Sequence, residues 1–185
     1  MNKIIKVFVV VFAVTLSFIS NSCSELDTIP INIPFSITVV TQGSNNPSIA
    51  SARYCLNESS TFDDNFSNIE KLTFIEAAWR TDSVKFITDG DIEITVRIEG
   101  GATTIFQDTL KNINPDDYKS PNPPFVLSLS STEIQNLNNY LNAYLKNPNQ
   151  CLEAVVKATI KSPLPVTTVY LRGIVDMVVE AETKI

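Results

Sequence analysis

The sequence predicts a mainly β protein, an antiparallel β-sandwich of about seven to eight strands with one α-helix. Three observations carry this. Apolar residues alternate with polar ones over most of the chain after Ile31, the period-two signature of a strand with one buried face. Turn-forming clusters interrupt the alternation every ten to fifteen residues. One segment alone, near residues 131–146, changes to helical spacing.

The elements follow in order. Ile31, Ile33, Phe35, Ile37 and Val39 alternate with Asn32, Pro34, Ser36 and Thr38, and Pro34 on the outward side marks an edge strand. Gln42–Ser48 (QGSNNPS) is a turn-rich loop, and Ala50–Asn57 reads as a second strand carrying Cys55. Ser60–Asn68 is polar and irregular, with room for one helical turn. Lys71–Thr81 (KLTFIEAAWRT) is rich in β-branched and aromatic residues and reads as a strand, although Glu76-Ala77-Ala78 would suit a helix. Asp91–Glu99 alternates without a fault, and Gly100-Gly101 then predicts a two-residue hairpin turn into Thr103–Leu110. Asn112–Pro124 is a loop. The helix follows the short apolar stretch Phe125–Leu129: Ser130 and Glu133 form a capping box, and Ile134, Leu137, Leu141, Tyr144 and Leu145 make one apolar stripe. Asn147-Pro148-Asn149 stops it. Leu152–Lys161 and a long segment from Val166 to about Glu182, separated by Ser162–Pro165 (SPLP), read as a C-terminal β-hairpin. Gly173 falls on the apolar side of the last strand, where a bulge or bend is expected.

The first 23 residues are of another kind. Lys3 and Lys6 precede an apolar run from Val7 to Ile19, and Ser20-Asn21-Ser22 leads to Cys23. A positive start, a short apolar core and a small-residue cut site make a secretory signal, too short to be a comfortable membrane span. The passage resembles a bacterial lipoprotein signal, in which the cysteine after the cut becomes the lipid-bearing first residue. Ser22 supplies the small residue before Cys23, while Ser20 and Asn21 depart from the Leu and small residue usual there. The resemblance implies residues 1–22 as signal peptide, Cys23 acylated with lipid such as palmitate, residues 23–30 as lipidated cysteine and tether, and residues 31–185 as one domain. It also implies the outer membrane, because Ser24 replaces the Asp that commonly retains such proteins in the inner membrane. Glu25 and Asp27 leave both the periplasmic side and the cell surface open.

Removing 22 of the 185 residues takes away two of the 14 basic side chains and none of the 20 acidic ones, leaving a formal charge of −8. Such a domain repels phosphate backbones and has no basic cluster to reverse this, so nucleic acid is excluded as a partner. With Cys23 assigned, Cys55 and Cys151 are an even pair in an oxidising compartment, which favours a disulfide; two separate buried thiols are the alternative.

Little in the chain points to catalysis. It contains no histidine, which removes the usual serine and cysteine hydrolase arrangements and most catalytic zinc sites. The acid pairs Asp63-Asp64, Asp89 with Asp91, and Asp116-Asp117 could in principle cleave a glycosidic bond, but solvated turn acids are their ordinary reading. Asp89, Asp91 and Glu93 are candidates for a calcium site, since oxygen ligands suit that ion; turns are also rich in Asp and Gly for backbone reasons. No other cofactor is expected. Trp79 is the aromatic candidate for sugar stacking, yet it shares an alternating face with Thr73, Ile75 and Ala77 that looks like core. As a whole the chain resembles the small β-sandwich lipoproteins of Gram-negative outer membranes. That resemblance implies a non-enzymatic, lipid-anchored binding or interaction module whose partner is an envelope protein or a glycan. The alternative is a structural or adhesin-like envelope subunit assembling through sheet edges.

Overall fold

A computed structural model describes residues 28–162 and 168–184. Within them lie eight strands and two α-helices: β1 (Thr28–Gly43), β2 (Ser48–Tyr54), α1 (Ser60–Asn65), β3 (Ile69–Lys85), β4 (Asp89–Ile98), β5 (Thr104–Ile113), β6 (Phe125–Val126), α2 (Ser131–Tyr144), β7 (Leu152–Ser162) and β8 (Val169–Lys184). They form two four-stranded sheets, ordered β1-β8-β3-β6 and β2-β7-β4-β5, and every strand pair is antiparallel. The β-sandwich expected from the alternation is therefore the fold.

Alternation places the core. Ile33, Phe35, Ile37 and Val39 of β1 face inward with Leu171, Val175, Met177 and Val179 of β8. Ile92, Ile94 and Val96 of β4 meet them from the other sheet with Leu152, Ala154, Val156 and Ala158 of β7. Each large apolar side chain buried this way contributes about 1.5–3 kcal/mol. One end of the sandwich is plugged by aromatics. Phe62 of α1 packs on Phe35 and on Tyr144 of α2, with ring centroids 6.4 and 5.8 Å apart.

Several boundaries differ from the sequence expectation. β1 starts at Thr28, so residues 28–30 of the expected tether belong to the sheet. They pair with Glu182–Lys184, and the Thr183 hydroxyl donates to the Ile29 carbonyl at 2.7 Å. β2 ends at Tyr54, and a 3₁₀ turn, Leu56–Glu58, follows. Ser60–Asn65 is a second helix, short and capped by the Ser59 hydroxyl, which accepts from the Phe62 N–H. The main helix ends at Tyr144 rather than near 146, with its Ser130–Glu133 capping box as expected. The turn after β4 is also longer than the two residues predicted. Ile98 and Thr103 close it (N–H to carbonyl, 3.2 Å), and Gly100 takes φ +69° inside it.

The C-terminal hairpin is the main correction. β7 pairs with β2 and β4, whereas β8 pairs with β1 and β3. Consecutive strands that are both apolar on one face can bury those faces against each other across the sandwich as well as side by side. The expected turn at 162–165 lies largely outside the described residues, as do residues 1–27, and with them the signal and Cys23.

The helix α2 lies over one side of the sandwich and seals two sheet edges at once. Asn138 and Asn142, one turn apart, accept from the N–H groups of Phe74 (2.7 Å) and Leu72 (3.1 Å) on β3, and the Asn142 amide donates to the Leu72 carbonyl (2.8 Å). On the other sheet, Glu133 accepts from the Gln107 N–H of β5 at 2.9 Å. Side chains thus stand in for a missing strand.

Candidate functional site

The disulfide is formed between Cys55 and Cys151, 96 residues apart. It joins the end of β2 to the start of β7, neighbours in one sheet, so it ties an edge strand to the centre of its own sheet.

Trp79 is completely buried and so is not an exposed sugar platform. It faces the core with Ala77 and Thr81, but Ile75 is on the outside. A register shift between Phe74 and Glu76 inverts the alternation at this point. Gly173 of β8 lies directly under the Trp79 ring, so that a Cβ there would overlap the six-membered part of the indole. The glycine expected to mark a bend is a seat for the tryptophan. Tyr140 and Tyr144 are buried as well; burial pushes the Tyr140 hydroxyl up, and it donates to the Gln150 carbonyl at 2.6 Å.

The acids proposed as a calcium site do not converge. Asp89, Asp91 and Glu93 follow one another on the outer side of β4, where alternate residues are about 7 Å apart along the strand. Lysines of β7 take up two of them: Lys161 reaches Asp91 at 2.6 Å and Lys157 reaches Glu93 at 3.5 Å. The Lys161 ammonium and the Asn112 N–H hold the Asp91 carboxyl below the usual carboxylate range. No group of three acids or cysteines among the described residues is placed to hold a metal ion. Asp63-Asp64 and Asp116-Asp117 are exposed, on α1 and on the 3₁₀ turn Pro115–Tyr118.

The outer faces are laced by further cross-strand ion pairs. Arg80 binds Asp176 on one sheet at 2.5 Å, and Arg97 binds Glu153 on the other at 2.8 Å. Partly exposed pairs of this kind add little stability, but they neutralise most of the charges on the two outer faces.

What remains open is concave or at an edge. A cleft of about 320 Å³ separates α2 from the β4–β5 turn, with Asn136, Asn139 and Gln150 along its rim and Ile98 and Ile105 in its floor. A groove of about 400 Å³ follows the β3 irregularity, where Ile75 and Val126 are exposed. A third, smaller cleft lies at the far end of the β1-β8-β3 sheet. Among the described residues, no helix covers the edges of β1 and β2, opposite α2. Pro30 and Pro34 lack an N–H, so within a paired strand they sit where the N–H would face away from β8. Ser36, Thr38, Val40 and Gln42 share that orientation and keep their donors.

These features define a disulfide-tied antiparallel β-sandwich with ion-paired outer faces and, among the described residues, one pair of edges without a covering helix. No family model matches the chain, and no curated protein matches it. Among solved structures it is similar to Desmodium yellow mottle tymovirus, at 9% identity over 85% of this chain and 89% of that one, with a TM-score of 0.36. It is likewise similar to turnip yellow mosaic virus, at 10% identity over 85% and 95%, with a TM-score of 0.36. Likeness at that level carries no argument about function.

Proposed function

We propose that the chain is an exported, lipid-anchored envelope protein whose sandwich is a non-enzymatic binding module. The leader Met1–Ser22 followed by Cys23 supports export and acylation. The observation that carries the reading is the Cys55–Cys151 bridge, because a structural disulfide persists in an oxidising compartment. The mature charge of −8 offers no attraction to an anionic surface, so attachment rests on the acyl chains. Outer-membrane residence follows from Ser24 in the position after the cysteine. The test is Cys23→Ala with cell fractionation and labelled palmitate. The substitution abolishes labelling and moves the protein out of the membrane fraction; retention in that fraction overturns the anchor.

A second reading, an adhesin-like or structural subunit that assembles through sheet edges, is favoured by one observation. The α2 side of the sandwich is sealed by side chains, whereas the donors of Ser36, Thr38, Val40 and Gln42 lie on the side of β1 away from β8, which no strand among the described residues pairs with. Size-exclusion across a concentration series separates the two: a binding module elutes unchanged, and a subunit shifts to larger species.

A further inference from the structure

Phe86, in the turn between β3 and β4, stands out on two independent counts. Its φ of +61° lies in the left-handed region, which a bulky side chain seldom occupies without strain. The residue is 67% exposed, so the strain is not offset by burial. Glycine takes such a backbone without strain, so a phenylalanine held there points to a use outside the fold.

The surroundings indicate what that use is. Phe86 shares a cleft of about 160 Å³ with Gln42, Lys85, Val169 and Tyr170, and with Thr168. Tyr170 is the register partner of Gln42 on β1 and of Lys85 on β3. Three strands therefore present amide, phenol and ammonium in one row across the outer face, fixed by ladder hydrogen bonds rather than by a loop. Lys85 has no carboxylate partner among the described residues, although most cations on these faces are paired.

We propose that this cleft binds the pyranose ring of an acidic glycan. The CH face of a sugar carries slight positive charge and packs on the negative face of an aromatic ring, here supplied by Phe86 and Tyr170. The Gln42 carboxamide has a donor and an acceptor for adjacent hydroxyls. The Lys85 ammonium selects a sugar bearing a carboxylate. A few placed polar groups around an apolar surface are what a small-ligand site needs. The proposal deepens the binding-module reading and rests on it.

The test passes the full-length protein, in a non-ionic polyether detergent, over surfaces carrying an oligosaccharide of hexuronic acid or its neutral hexose counterpart, with surface plasmon resonance as readout. The wild type prefers the hexuronate, and salt weakens the preference. Phe86→Gly binds about tenfold more weakly while its melting temperature does not fall, since glycine accepts the left-handed backbone. Lys85→Gln binds both sugars alike. Binding that Phe86→Gly leaves unchanged overturns this cleft but leaves the module reading standing. Binding to neither surface overturns the glycan, and the fractionation of Cys23→Ala still decides the anchor separately. A fall in melting temperature with Phe86→Gly overturns the premise that the ring serves nothing in the fold.

Discussion

Gly173→Ala tests the packing that the core is built around. Gly173 sits between Val39 and Thr81 in the ladder, under a fully buried indole, and the Trp79 atoms nearest to an added Cβ are Cη2, Cζ2 and Cζ3. Overpacking a well-filled core costs about 1–3 kcal/mol. The upper end applies here, because the obstacle is a rigid ring and the added atom belongs to a paired strand. At about 2–4 °C per kcal/mol for a domain of this size, the melting temperature falls by about 6–12 °C. Trp79→Phe removes the atoms in the way. It also removes Nε1, which is buried without a hydrogen-bond partner among the described residues, so part of its own cavity cost is recovered. The double variant Gly173→Ala/Trp79→Phe is therefore more stable than the sum of its single variants by about 2 kcal/mol. Urea unfolding of the oxidised protein, followed by far-UV circular dichroism, measures all four species. Additive costs, or a Gly173→Ala variant within about 0.5 kcal/mol of wild type, refute the reasoning.

Three further outcomes can be checked. Replacing Cys55 and Cys151 together by alanine opens a loop of 96 residues and lowers stability by about 4–5 kcal/mol in the chain-entropy model; an unchanged unfolding midpoint after reduction contradicts it. Asn138→Ala with Asn142→Ala uncovers the β3 edge at Leu72 and Phe74, costs about 1 kcal/mol per lost hydrogen bond and promotes edge association visible by size-exclusion. Glu133 gives a pH signature. Burial pushes its carboxyl up, but the Ser130 hydroxyl and the N–H groups of Gln107 and Ser130 outweigh this and hold it below the usual carboxylate range. Its contribution is thus complete above the unfolded value of about 4.3 and disappears as pH falls through the lower folded value. Glu133→Gln shows a shallower loss of stability with acid, read from urea midpoints across a pH series; an equally steep acid limb in the variant refutes the assignment.

Local chemistry was legible in the sequence, and partner choice was not. The alternation of β1, β4 and β7 and the Ser130–Glu133 box depend on neighbours within a few residues, so they can be read directly. The fate of β8 depends on which of two apolar faces it meets, a long-range competition that alternation cannot decide. Trp79 shows a subtler limit. It belongs to the core as its alternation suggests, yet its assigned companion Ile75 does not, because the irregularity between Phe74 and Glu76 inverts the alternation between them. The cleft at Phe86 left little trace, since a left-handed phenylalanine looks like any other in one-letter code.

The sixteen residues of β1 run without a register break from Thr28 to Gly43, about 50 Å of extended chain at the usual rise. Gln42 lies at one tip of that rod and Thr28 at the other. Were Cys23 acylated as proposed, β1 would act as a stalk built into the domain, its far tip standing roughly a bilayer's thickness beyond Thr28, within reach of polymers too bulky to approach the membrane.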